Sequence, residues 1–374
     1  MGAGQNGGWS NAAPVAVVIE EAIYYMDSVS QALLGAALGG AVAGRRYGRK
    51  AFLWGAVLGT LPDLDNLIRW GDAVSDMTKH RGFSHSLLFL TPLSIVLATA
   101  VYRWFSSVRP GFLRLWLMIW LCLITHPLLD AFTTYGTQLF WPWPSQPVAL
   151  SSIFIIDPLY TLPLLVGVLI CLCKWGAPHA LRWNSAGLLL SAGYLVLSLV
   201  AKGVIHERLD TTLAAEGLSG KPVFSAPTPF NIVLWRVMVL DGDHYYEGLA
   251  SLLDDQTDIQ LIQFPGKSVA DAPELASLDR LNWFTGGFYS LNETQGHLIA
   301  TDLRLGVHAI HPFRFLVAER DANGVWQPVN PELKGSLVPR SLSGFPRLWE
   351  RLQGETTLDV CTVSIGRSCD SGLL

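Results

Sequence analysis

GTLPDLDNLIRWGDAVSDMTKHRGFSHS, residues 59 to 86, is a polar interval between two apolar runs, and it carries Asp63, Asp65, His80 and His85. Four side chains of metal-ligand type beside a membrane need a cause, because ionisable groups at membrane depth are costly and usually functional. Taken alone, the stretch also suits an ordinary charged loop, with Asp63 and Asp65 as turn residues after Pro62. His80 and His85, five apart, share no helical face, so they converge only if a loop holds His80. The apolar runs on either side decide the fold around it.

Toward the N-terminus, SVSQALLGAALGGAVAG, residues 28 to 44, is uncharged and rich in Gly and Ala. It is short for a span, and its small residues suit close helix packing in lipid. Asp27 and Gln31 stand four apart at its start, on one helical face. Arg45, Arg46, Arg49 and Lys50 make a basic turn, and Ala51 to Leu61 is a second short apolar segment that Pro62 ends. This hairpin returns the chain to its own side and predicts Asp27 beside Asp63 and Asp65. Residues 1 to 25 lack the basic start of a signal peptide and read as a flexible extension, with Met26 as an alternative start.

Toward the C-terminus, Ser84 predicts an N-cap for a spanning helix from His85 to about Phe105. Arg103, Arg109 and Arg114 mark the turn, and LWLMIWLCLITHPLL, residues 115 to 129, leads back. His126 and Asp130, one turn apart on one face, arrive at the level of His85. Trp141 and Trp143 among three prolines predict an interfacial loop within 131 to 157. Pro158 to Trp175 and Ala186 to Ala201 bring the apolar segments to six.

Past Lys202 the character changes. Runs such as Ile232 to Leu240, Ile259 to Phe264, His297 to Val307 and Phe313 to Val317 predict strands, with a hairpin turn near Asn292 to Gly296. The fold class is therefore a mainly α membrane protein, with about six apolar helical segments in hairpins, followed by a soluble β-rich (α+β) domain. The boundaries read as a helical membrane domain at 26–202, a linker at 203–221 and a strand-rich domain at 222–374. With 15% charged residues and a mean hydropathy of +0.34, the first domain is not soluble. A net charge of -4 argues against a nucleic-acid-binding surface. Cys122, Cys171 and Cys173 lie in apolar runs as small hydrophobes, while Cys361 and Cys369 pair if that end meets an oxidising compartment.

Basic residues orient the chain. The turns at 45–50, 103–114 and 174–182 hold nine Lys or Arg, whereas the intervals 63–85 and 127–157 hold three (Arg69, Lys79 and Arg81) and none. By the positive-inside rule the basic turns are cytoplasmic, and the polar interval and the C-terminal domain face outward.

Seven residues are thus predicted to converge: Asp27, Asp63, Asp65, His80, His85, His126 and Asp130. Gathering carboxylates and neutral imidazoles without a cation incurs repulsion and desolvation, so the pattern points to a metal. Nitrogen and oxygen donors without thiolate suit zinc, manganese or iron. One open site with supporting carboxylates, or two ions sharing a carboxylate, both fit seven candidates. Singly, His126 also suits a buried core histidine and Asp27 a helix cap.

MDSVSQALLGAALGG, GTLPDLDNL, HRGFSHSLLF and THPLLDAFTTYGTQLFWPW together resemble the YdjM-like family of bacterial inner-membrane, metal-dependent hydrolases. The likeness covers about residues 26 to 160, and Pro227 to Met238 resembles the start of a C-terminal part found in many members. The resemblance implies a multi-pass inner-membrane protein with a metal-binding hydrolase core built from the seven residues above. Ser30 and Ser84 stand where members often have Thr, which keeps the hydroxyl.

A metal at that point would lower the pKa of a bound water, and Asp65 or Asp130 could take its proton. Arg81 suits a forked contact to an anionic phosphate, or equally a headgroup-level anchor. A site at the bilayer surface beside Trp141 and Trp143 points to a lipid or lipid-linked substrate and to ester or phosphoester cleavage. The competing reading is a membrane-anchored binding or scaffold protein with a structural metal. A transporter is disfavoured, because its ionisable residues would sit mid-span rather than at helix ends. His244, His308 and His311 in the C-terminal domain suit turn or surface roles better than a second metal site.

Overall fold

A computed structural model describes residues 13–104, 111–177, 179–256, 258–267, 269, 271–335, 345–366 and 369, with side chains described from Ser28 onward except those of Phe345 and Ile365. Helices α1 (Ala13–Tyr47) and α2 (Lys50–Thr60) form the first hairpin, reversing at Gly48 with φ 67°. Their backbones nearly touch. A Cβ on Gly35 would lie 2.2 Å from the Gly55 carbonyl oxygen, and one on Gly59 would lie 2.6 Å from that of Gln31. Between helices in lipid, where no hydrophobic drive separates tails from side chains, such small-residue contacts supply the packing. The helix containing Ser28 to Gly44 begins at Ala13, so part of the stretch read as an extension is helical backbone. Arg109, with the rest of 105–110, lies outside the described residues.

Helices α4 (Leu87–Trp104) and α5 (Phe112–Asp130) make the second hairpin. Helices α6 (Pro158–Cys173) and α7 (Ala180–Ala215) make the third, again closed on glycine, since a Cβ on Gly187 would meet the Pro163 oxygen at 2.4 Å. Polar bonds tie the hairpins together: Asn184 Nδ2 donates to the Ala37 oxygen at 2.8 Å, and the Ser30 and Thr161 hydroxyls meet at 2.7 Å. Among the described residues α4, α5 and α7 are long and apolar enough to cross a membrane. The six apolar segments expected are thus helical, in three hairpins, and three of these helices have the length and hydropathy of a span. Helix α2 has 11 residues, about 16 Å against a hydrocarbon core of about 30 Å. Helix α6 is apolar but has 16 residues.

The linker expected at 203–221 is corrected, because α7 runs unbroken to Ala215. At about 1.5 Å per residue its 36 residues reach about 54 Å, well beyond a bilayer core. Ile205, Leu209 and Leu213 recur every four residues on that projecting end and are buried with Trp235, Val237 and Val239. Burial against a sheet explains why the helix continues.

The C-terminal region holds two four-stranded antiparallel sheets, ordered β1-β2-β3-β4 and β5-β6-β7-β8. The first comprises β1 (Val223–Pro227), β2 (Leu234–Asp241), β3 (His244–Ser251) and β4 (Ile262–Pro265). The second comprises β5 (Tyr289–Thr294), β6 (His297–Asp302), β7 (Arg314–Arg320) and β8 (Trp326–Lys334). Between them lies α8 (Ala276–Thr285). The predicted hairpin turns at Gln295 and Gly296, both with positive φ, as a two-residue turn between right-twisted strands requires. Cys361 and Cys369 form a disulfide.

The sheets do not hang free of the membrane helices. The first rests on the end of α7. The second, with α8, shares a core with Val74 and Met77 of the short helix α3 (Ala73–Lys79) and with Tyr135. His308 stacks on Phe264 with ring centroids 4.0 Å apart, and His311 is buried with Nδ1 on the Leu305 oxygen at 2.9 Å. Both are thus packed inside rather than at the surface, and no cluster of metal-ligand type among the described residues includes them.

The glycine contacts are directly testable. Gly55→Ala should lower stability by about 1–3 kcal/mol through overpacking. Gly193→Ala, where nothing lies within 4 Å of the new methyl, should be neutral or stabilising by up to about 1 kcal/mol. Thermal melts of the two variants in detergent make the comparison.

Candidate metal centre

Pro62 starts a 3-10 turn, Pro62–Leu67, that carries Asp63 and Asp65 across the end of α2. Asp72 then caps α3, its carboxylate accepting from the Ser75 amide at 2.8 Å. After His80 the chain reverses sharply. Arg81 has φ 57°, a left-handed conformation uncommon for a residue with a Cβ, and Gly82 has no room for a side chain, since a Cβ would lie 2.8 Å from the Lys79 oxygen. A second 3-10 turn, Phe83–His85, leads into α4. The cap of α4 is Ser86, whose hydroxyl accepts from the Phe89 amide at 3.4 Å, and not Ser84 as expected. Ser84 has another task.

Four side chains converge: Asp63, His85, His126 and Asp130, with one ligand atom of each lying within 4.8 Å of the others. The two Nε2 atoms of His85 and His126 are 3.1 Å apart. His85 Nε2 lies 3.1 Å from Asp130 Oδ2 and 3.6 Å from Asp63 Oδ1. His126 Nε2 lies 3.4 Å and 3.2 Å from the same two oxygens. Donors bound at about 2.0–2.1 Å to a tetrahedral ion stand about 3.3–3.4 Å apart, so these separations fit such an ion.

The protons of both imidazoles are fixed from behind. His126 Nδ1 faces the Gly59 carbonyl oxygen at 2.5 Å, and a carbonyl only accepts, so Nδ1 carries the proton. The Ser84 hydroxyl donates to Asp65 Oδ2 at 2.6 Å and therefore accepts from His85 Nδ1 at 2.9 Å. Each Nε2 is left with a lone pair. Two lone pairs and two carboxylate oxygens then face one another in a buried space. Asp130 Oδ2 has no hydrogen-bond partner there, an arrangement that asks for a cation.

Asp130 is oriented by its other oxygen. Oδ1 accepts from Gln31 Nε2 at 2.9 Å and lies 3.3 Å from Arg81 Nη2. Arg81 also donates through Nη1 to the Thr133 hydroxyl at 3.2 Å and lies over the Tyr135 ring. Its side chain is 4% exposed. The reading of Arg81 as a phosphate holder or headgroup anchor is corrected accordingly: the guanidinium faces inward and compensates Asp130. Within this buried set, three ionised carboxylates (Asp63, Asp65 and Asp130) stand against one guanidinium, an excess of two negative charges that a divalent cation would balance.

Asp65 and His80, expected as ligands, stand one step behind the cluster. Asp65 Oδ1 meets His80 Nδ1 at 2.9 Å, and Oδ2 accepts from the Arg81 amide at 3.0 Å as well as from Ser84. With both oxygens engaged, Asp65 orients its neighbours, whereas Asp130 is held through Oδ1 and offers Oδ2 to the cluster. Asp27 lies on α1, and its side chain falls outside those described. Gln31, noted only for sharing the face of Asp27, and Thr133 are members of the site that the sequence reading did not assign. Their signal was a buried amide in an apolar helix and a hydroxyl one turn past Asp130.

Electrostatics follow the geometry. Burial opposes ionisation of Asp63, but its pairing with the His126 and His85 imidazoles, a role that a bound cation would take over, outweighs it and holds the carboxyl well below its ordinary range. Burial likewise opposes ionisation of Asp65, and the hydrogen bonds from His80 and Ser84 prevail to lower its pKa. Burial lowers the His80 pKa despite the pull of Asp65, which leaves the imidazole neutral at neutral pH. His80 lines a cavity of about 170 Å³ with Asp65, Met77 and Tyr135, and with Phe315 and Leu333 of the second sheet.

Residues 26–208 match the family described as YdjM inner membrane protein. An uncharacterized protein of Bacillus subtilis (strain 168), YfhP, is 27% identical over 233 residues, which covers 60% of this chain and 68% of YfhP. Inner membrane protein YbcI of Escherichia coli (strain K12) is 40% identical over 91 residues, 24% of this chain and 51% of YbcI, so the alignment spans about half of that relative. No solved structure matches the chain.

If Asp130 is a ligand aimed by its neighbours, Gln31→Leu should weaken binding of a divalent transition ion about ten-fold or more. His126→Ala should abolish stoichiometric binding. Titration calorimetry on detergent-purified protein measures both.

Proposed function

We propose, from the membership of residues 26–208 in the YdjM inner membrane protein family, that this chain is a metal-dependent hydrolase embedded in the inner membrane, cleaving an ester or phosphoester bond of a lipid or lipid-linked substrate. One observation carries the reading: two imidazoles whose protons are fixed away from each other, with two carboxylates, aim four lone pairs at one buried point. The donor set is two nitrogens and two oxygens, which suits zinc first and manganese or iron after it. A divalent transition ion held there would supply Lewis acidity toward water and the scissile group.

The protein's own groups divide the remaining work. His85 and His126 hold, Gln31 and Arg81 aim Asp130, and Ser84 fixes the His85 tautomer while linking it to Asp65. His80, neutral and oriented by Asp65, faces the cavity between the membrane domain and the second sheet, which makes it the best-placed proton carrier. It replaces Asp65 and Asp130 in that role. The three basic turns and the Cys361–Cys369 disulfide both favour an outward-facing site and C-terminal domain.

A second reading has its own support. His85, His126 and Asp130 are fully buried, and four protein donors are enough for a closed structural site. Against it, structural zinc sites are built largely from cysteine, which this cluster lacks, and the Asp63 side chain is 15% exposed, leaving one donor within reach of solvent.

Metal analysis of purified protein joined to a screen of phosphoester and acyl-ester lipids separates the readings. The hydrolase predicts about one ion per chain, turnover that chelation removes and the ion restores, and loss of both metal and turnover in His85→Ala. Retained metal without turnover on any lipid ester supports the structural reading. Absence of bound transition metal overturns both.

A further inference from the structure

A second cavity, of about 240 Å³, shares Asp65 and Ile68 with the one that His80 lines. Its walls are Leu61, Leu64, Phe83, Phe89, Leu90 and Leu93, and among the described residues the polar side chains that line it are Asp65 and Ser84. Those two already bond each other at 2.6 Å and form the support of His85. The cavity is therefore apolar along its length and touches the metal centre's framework at one end.

Its place in the fold identifies the environment. Phe89, Leu90 and Leu93 belong to the first two turns of α4, a helix long enough to cross the membrane, and Leu61 follows the end of α2. Around the opening, Leu64, Leu67, Leu88 and Phe89 are exposed, and Phe83 packs edge-on against Trp141, whose neighbour Trp143 is also exposed. Exposed aromatics and leucines at a helix end mark the level where headgroups meet acyl chains. The exposed side chains on this rim, Leu64 and Phe89, are apolar and suit contact with lipid.

We infer that this groove is the subsite for an acyl chain of the substrate, seated so that the chain's polar end lies beside the Asp65–Ser84 pair and the metal cluster. The inference rests on the hydrolase reading for the word substrate; occupancy by an acyl chain rests on the groove alone. A hydrocarbon chain suits the walls because it brings no polar atoms. A peptide segment would bury amides and carbonyls against six apolar side chains with nothing to accept or donate. The combination of an apolar length with polar groups converging at one end is that of a site for an amphiphile.

The test uses the full-length protein in vesicles of phosphatidylethanolamine and phosphatidylglycerol that contain a phosphatidylglycerol with a photoactivatable diazirine in its acyl chain. Cross-linked residues are mapped by mass spectrometry. The subsite predicts cross-links within 61–68 and 83–93 at least five-fold above those at Leu189 and Leu190, which are lipid-exposed positions on α7. Leu93→Trp, filling the inner end, should cut the groove signal at least five-fold and leave the α7 signal and the bound metal unchanged. Leu64→Trp, at an exposed position where folding is not at stake, should do the same at the mouth. Cross-links spread evenly over α4 and α7, or a groove signal indifferent to both tryptophans, would mean surrounding bilayer lipid only and would overturn the inference. The labelling needs no turnover, so a failed hydrolase reading, seen as missing metal or missing lipid cleavage, is told apart from an empty groove.

Discussion

Everything near the polar interval depends on one electrostatic constraint: two imidazole lone pairs and two carboxylate oxygens are held within a few ångströms of each other in a largely buried space that meets solvent at Asp63. Such a set is repulsive without a cation, and the protein spends much of its local architecture on enforcing it. The Gly59 carbonyl reaches His126 because glycines let α1 and α2 approach to backbone contact. Gln31 reaches Asp130 from α1, itself bonding the His126 carbonyl oxygen at 3.2 Å. The Arg81 backbone is turned into the left-handed region so that its amide serves Asp65 while its guanidinium serves Asp130. Two hairpins and the loop between them are thus fixed by what stands behind the four donors.

The division of the chain follows from this. All four donors and their supports lie within 26–208, the stretch that matches the YdjM family, so the centre is complete before the first strand begins. What the sheets add is containment. Arg280 of α8 donates to the Thr78 hydroxyl, Tyr135 packs on Phe284 and Phe313, and Asn330 Nδ2 reaches the Gly71 oxygen at 3.2 Å. The C-terminal domain therefore grips α3 and forms one wall of the cavity beside His80, which places it over the site rather than on a tether.

Much of this was legible in the sequence, and what was not had physical causes. Apolar periodicity and basic turns located the hairpins, and the shared level of helix ends brought His85, His126 and Asp130 together. Asp63 joined them, but Asp65 two residues later did not, because a 3-10 turn points the two side chains in different directions and sequence spacing cannot say which one faces the cluster. His80 was separated from the donors in the same way, by a bond to Asp65 that only the folded loop creates. Arg81 seemed a surface cation by composition, and only the reversal at Gly82 turned it inward. The length of α7 was misjudged because Lys202, His206 and Arg208 interrupt the apolar run; they bond the loop and strands beside the helix, to the Leu150 oxygen, the Ser225 hydroxyl and the Ser251 oxygen.

The donor set is unequal, and the inequality bears on what the centre can do. His126 and Asp130 are carried by one packed helix, four residues apart, whereas His85 lies in a three-residue 3-10 turn and is held by full burial and by its bond to Ser84. Asp63 is carried by six residues of 3-10 turn and is the member with solvent exposure. A short 3-10 turn has poorer hydrogen bonds than an α-helix and shifts at lower cost. The same turn forms the wall shared by the two cavities, since Asp65 and Ile68 line both. A molecule filling either cavity presses on the one element that carries the least constrained donor. Asp63 is thus the one donor of the four that combines a short 3-10 turn with solvent exposure, and the polar interval that divides the two apolar runs carries it beside both cavities.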